Sequence, residues 1–166
     1  MSEAFWAFSL QFYAAAGVAG ACLELQDNER ADVNLLLLAL WAASMGRELD
    51  AAAIAAAERV AKPWRESVTE PLRAARRALK QPPEGFAAES AAALKGKVQA
   101  LEIEAERLQQ DAMARGLTLG AKAEPRTAAR ANLRRYEAFL GGNLAPASLV
   151  TLLDAFDRTQ AKQEEP

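Results

Sequence analysis

Asp32-Val33-Asn34-Leu35-Leu36-Leu37-Leu38-Ala39-Leu40-Trp41-Ala42-Ala43-Ser44-Met45-Gly46 is the stretch that decides the fold. Asp32 suits an N-cap, because its carboxylate can accept an orphan backbone N–H of the first turn. Behind it, residues 33–45 are apolar nearly all round, and Gly46 ends the run. A helix with no polar face belongs at the centre of a bundle. The apolar run from Leu35 to Met45 has about half the length a bilayer span needs, so no integral membrane protein is expected.

The rest of the chain supplies helices to surround that centre. Alanine is heavily used and β-branched and aromatic residues are sparse, which favours helix throughout the 166 residues. Upstream, Phe5, Phe8 and Phe12 recur at helical spacing, and a second short helix is expected from Val18 to about Glu29. Downstream, Asp50 caps a helix over 51–61 that Pro63 is expected to break, and Thr69 is placed to cap the next, with Pro71 in its first turn. Gln81-Pro82-Pro83-Glu84-Gly85 is the clearest punctuation. Beyond it, Ala91, Leu94, Val98, Leu101, Ala105, Leu108 and Ala112 alternate three and four apart on a long helix, 88–115. A helix over 127–140 and a last one opened by Pro146 follow.

The fold class is therefore all-α: a compact helical bundle around the buried helix at about 33–45, followed by a long helix and a helical hairpin. Residues 1–82 read as the bundle core, 88–158 as a helical extension packed on it or projecting from it, and 159–166 as a flexible tail. The seam over 91–112 is expected to fold back on 127–140, with a homodimer through 91–112 as the alternative.

A longer pattern runs through residues 5–80. It comprises Phe5-Trp6, Tyr13 before Gly17-Val18, Cys22-Leu23-Glu24-Leu25-Gln26-Asp27, Asp32-Val33-Asn34-Leu35-Leu36-Leu37 and Trp41. Pro63-Trp64-Arg65, Pro71-Leu72-Arg73, Arg76, Arg77 and Lys80 complete it. In this it resembles a family of small bacterial proteins, found chiefly in proteobacteria and known as conserved hypothetical proteins. The resemblance implies a helical fold and brings no activity and no catalytic residue.

Composition excludes much. Histidine is absent and Cys22 is the only cysteine, which removes intramolecular disulfides, the commonest general base and the usual zinc, haem and iron–sulfur ligands. No cofactor, catalytic residue or metal ligand is assigned. The N-terminus lacks a basic n-region, so a cytoplasmic location is expected. The net charge of −2 favours no nucleic acid. Only residues 61–82 are locally basic, at +4, against −5 for residues 1–60.

Two polar constellations remain as candidates. Trp64, Arg65, Arg73, Arg76, Arg77 and Lys80 form a basic face suited to carboxylate or phosphate, with internal pairing as the plainer reading. Gln26, Asp27, Asp32 and Asn34 form a cluster in which two acids five apart could hold Mg²⁺ through carboxylate oxygens, although capping explains Asp32 more simply. The functional expectation is a non-catalytic helical protein that binds another protein. Its alternatives are a carrier of a small apolar ligand, held between the aromatic first helix and the third, and a Mg²⁺-dependent enzyme using Asp27 and Asp32.

Overall fold

The computed structural model describes residues 2–164, with side chains through Ala161, and is all-α. The helices are α1 (Ser2–Tyr13), α2 (Val18–Glu29), α3 (Val33–Ser44), α4 (Ala51–Trp64), α5 (Glu70–Ala78), α6 (Ala88–Arg115), α7 (Pro125–Phe139) and α8 (Pro146–Glu164). Helix α8 thus covers the first part of the segment expected as a tail, and residues 165–166 lie outside the described residues.

Helix α3 is the centre, as its composition requires: every residue from Asn34 to Ala43 is buried. Asp32 caps it, its Oδ1 accepting from the Asn34 N–H at 2.8 Å, and Asp50 caps α4 by accepting from the Ala53 N–H at 2.7 Å. Phe5 of α1 stacks on Trp41 with ring centroids 5.0 Å apart. Leu133 and Tyr136 of α7, with Leu152 and Phe156 of α8, enter the same apolar core, so both halves of the chain share it.

Helix α7 lies along α3 and is keyed to it by two polar groups. The Asn132 amide donates to the Ala39 and Arg47 carbonyls, both at 3.0 Å, and accepts from the Leu49 N–H at 2.7 Å. Tyr136 Oη accepts from the Asp32 N–H at 2.7 Å. Buried backbone groups at both ends of α3 are satisfied in this way.

Two expectations are corrected. Pro63 does not end its helix: α4 continues through a π-turn, Arg65–Thr69, into α5. The Glu70 N–H reaches the Arg65 carbonyl, and Ser67 Oγ donates to the Pro63 carbonyl at 2.6 Å. In an α-helix the ring of Pro71 would crowd the carbonyl four residues back; the wider turn ahead of it relieves that clash. Thr69 is therefore a mid-helix residue with no capping bond.

The second correction concerns α6, which packs against α1, α3, α4 and α5, not against α7. Its buried residues are Ala91, Glu102, Ala105, Gln109, Gln110, Met113 and Ala114. Leu94, Leu101 and Leu108 are left 50%, 52% and 48% exposed. The helix is turned toward its polar side because that side finds charged and amide partners on α5 and at the start of α3.

Among the described residues no single helix is long and apolar enough to cross a membrane. Helices α1 and α2 are apolar enough together but are bent by 100° where they meet.

A candidate ligand cleft at the corner between α2 and α3

Three arginines of the basic face, Arg65, Arg73 and Arg76, turn inward to buried or half-buried carboxylates. Arg65, placed inward by the π-turn, donates from Nη1 to Asp32 Oδ2 at 2.5 Å and meets both oxygens of Glu58, at 2.7 and 3.1 Å. Arg73 donates to Glu102 and Glu106, both at 3.1 Å, and Arg76 reaches Glu102 at 2.5 Å. The Trp64 indole N–H donates to the Ala105 carbonyl at 2.9 Å, tying α4 to α6. Arg77 pairs at the surface with Asp27 at 3.2 Å, and Lys80 is exposed with no ion pair among the described residues.

The polar cluster is split. Asp27 is exposed, and the hydrogen bond from Arg77 holds its carboxyl below the usual range. Asp32 is buried, with Oδ2 also accepting from Gln109 Nε2 at 2.8 Å. Asn34 Oδ1 accepts from Gln110 Nε2 at 2.7 Å, and Gln110 Oε1 accepts from Ser9 at 2.9 Å. Asp27 and Asp32 therefore do not converge on a cation, and among the described residues no three Cys, Asp or Glu side chains do.

These chains of polar contacts wall two adjoining cavities. The first, about 460 Å³, lies between α1 and the junction of α2, α3, α5 and α6. Trp6, Leu10, Leu23, Val33, Leu37 and Ile103 give it an apolar side; Tyr13, Arg73, Arg76, Glu102, Glu106 and Gln110 give it a polar one. The second, about 430 Å³, is polar and lies between that junction and α4, with Glu58, Arg65, Thr69 and Gln109 in its wall. Gln26, Val33, Asn34 and Arg73 belong to both.

The electrostatics of the shared wall are uneven. Burial works against the Glu102 carboxylate, but hydrogen bonds from Arg76 and Arg73 outweigh it and hold its pKa below the ordinary value. Glu106 goes the other way: burial raises it despite Arg73. Tyr13 is also raised, by burial first and then by Cys22 and Glu106. Cys22 itself is buried, its thiol pushed up to about 12, and is no nucleophile at neutral pH.

Glu58, Glu102, Glu106, Thr69, Gln109 and Gln110 are the site residues that sequence reasoning missed. Glu102 and Glu106 stand one turn apart, and Gln109-Gln110 interrupts the last apolar turns of α6; in the sequence both look like a solvated face.

An all-α bundle with a two-chambered, partly polar cleft is the class of protein that fold and site define. A family of proteins of unknown function, DUF2390, matches residues 4–113, and the chain belongs to it. No curated protein and no solved structure matches the chain. The matched span holds every residue lining the first cavity and all but Leu140 of those lining the second.

Proposed function

We propose that this protein binds a small amphipathic molecule in the cavity beside α1. The observation that carries the reading is the cavity itself: about 460 Å³, apolar along one side and closed by convergent polar groups on the other. Ligand sites combine those features, an apolar wall for affinity and a few fixed polar groups for orientation. Trp6, Tyr13, Gln26, Asn34, Arg73 and Arg76 of the pattern resembling the proteobacterial family all line it, which supports the same reading. Because the two arginines and two glutamates in its wall balance, the head group expected there is neutral and hydrogen-bonding. Native mass spectrometry on protein captured gently from its own cells tests this. A retained small mass, lost in an Ala14→Trp variant that fills the cavity and keeps its helical spectrum, is the expected result. Bare protein of the calculated mass sinks the reading.

A second reading, protein binding, is favoured by the outer edge of α6. Leu94, Leu101 and Leu108 recur every seven residues and are half exposed. Lys97 and Glu104 are exposed and lie one heptad apart beside them. Two copies crossing antiparallel about Leu101 set Leu94 against Leu108, and Lys97 of each copy against Glu104 of the other. A parallel pair would oppose like charges. The partner fitting this edge is a second copy of the chain. Lys97→Glu should then dissociate a dimer seen by light scattering, and adding Glu104→Lys should restore it. A monomer at every concentration tested, or a double variant no better than the single, rules the dimer out.

A further inference from the structure

The polar chamber beside α4 has two features that binding in the apolar cavity does not use. The first is charge. Asp32 and Glu58 share one guanidinium, that of Arg65, and the three side chains are 4%, 19% and 18% exposed. One negative charge is therefore in excess in a partly buried site, where an uncompensated charge is costly. Glu70, at 4.0 Å from Arg65 Nε, is 55% exposed and hydrated. The other charged groups of the wall do not offset the excess. Lys62 is paired with Glu66, Arg73 is committed to Glu102 and Glu106, Glu29 accepts from the Ala145 N–H, and Arg30 is exposed at the end of α2.

The second feature is unmet hydrogen bonding. Thr69 Oγ1 and Gln109 Oε1 have no partner, although the residues are 1% and 2% exposed and both line the chamber. The orientation of Gln109 is fixed, because its Nε2 donates to the Asp32 carboxylate and a flipped amide would set oxygen against oxygen. Its Oε1 is thus left without a donor on a residue of the chamber wall, and buried acceptors left unmet are expensive.

We infer that the polar chamber binds a small organic cation carrying primary ammonium groups. An ammonium brings three N–H donors and one positive charge. Thr69 Oγ1 and Gln109 Oε1 accept two of the donors, and the charge answers the excess carried by Asp32 and Glu58. An organic cation fits better than a metal ion, because among the described residues no three carboxylate or thiol groups come together to coordinate one. The chamber is separate in chemistry from the apolar cavity, so this inference does not depend on an occupant there.

Diaminobutane, butanediol and succinate share a four-carbon chain and differ in charge, and they make the test. At constant ionic strength, diaminobutane should raise the thermal unfolding midpoint in a saturable manner, while the diol and the diacid leave it unchanged. Glu58→Gln should abolish the diaminobutane shift. Thr69→Val removes a buried hydroxyl that has no partner, so the free protein should be as stable as before or more so. Its affinity for diaminobutane, measured by calorimetry, should fall about tenfold, as loss of a hydrogen bond to a charged group implies. An equal shift from butanediol, no saturable shift from diaminobutane, or a shift reproduced by Mg²⁺ alone overturns the inference. A destabilised Thr69→Val protein with unchanged affinity does so as well, since the hydroxyl would then be structural.

Discussion

Helices α3 and α6 are both central to the molecule and are held there by opposite means. Helix α3 is buried from Asn34 to Ala43 by aliphatic and aromatic neighbours on α1, α2 and α7. Helix α6 buries Glu102, Gln109 and Gln110 and leaves three leucines half exposed. Apolar burial is non-directional, so α3 could be seated by composition alone. Ion pairs and amide bonds have fixed geometry, and they turn α6 to a particular face. A polar wall of this kind is seldom more stable than a well-packed apolar one.

Substitutions can break or sharpen that contrast. The largest effect is expected at α3: Leu36→Ala, at a position with no exposure, should lower the free energy of unfolding by about 2–5 kcal/mol in urea titrations. The loss should be insensitive to salt. Arg65→Met comes next, because it leaves Asp32 and Glu58 facing each other with no cation. A loss of about 3 kcal/mol is expected, part of which Glu58→Gln should recover in the double variant. If Arg65→Met is neutral, the polar wall is not held by charge.

The pH dependence separates the two glutamates of α6. Glu102 has a depressed folded pKa, so its stabilisation is present above its unfolded value, about 4.3, and is lost as pH falls through the lower folded value. Glu106 has a raised one, so its contribution is present below the unfolded value and is lost as pH rises through the folded value. Glu102→Gln should therefore flatten the acid limb of the stability curve, whereas Glu106→Gln should leave neutral-pH stability equal or higher. Like behaviour in the two variants would remove the distinction between them. The smallest effect belongs to the exposed pair: Arg77→Ala should leave the midpoint where it stood, because both partners are hydrated.

The basic face and the polar cluster were both visible in the sequence as residue sets, but their connections were not. Arg65 finds Asp32 33 positions away, and Arg76 finds Glu102 26 positions away on a helix whose heptad pattern points elsewhere. The apolar heptad of α6 does not set its buried face, because arginines on α5 draw in Glu102, and Asp32 and Asn34 draw in Gln109 and Gln110. Pro63 misled for a local reason: one proline costs a helix a single backbone bond, and here α4 continues past it into the π-turn.

Composition and periodicity by themselves determined that this chain is helical, that residues 33–45 lie at its centre, and that Asp32 and Asp50 start helices. Those outcomes rest on propensities, capping bonds and apolar area, which act within a few residues or without direction. Only the tertiary structure decided which face of α6 is buried, which acid each arginine meets, and that Thr69 and Gln109 close a chamber. Those depend on directional contacts between segments distant in sequence, and such contacts have no signature until the chain is folded.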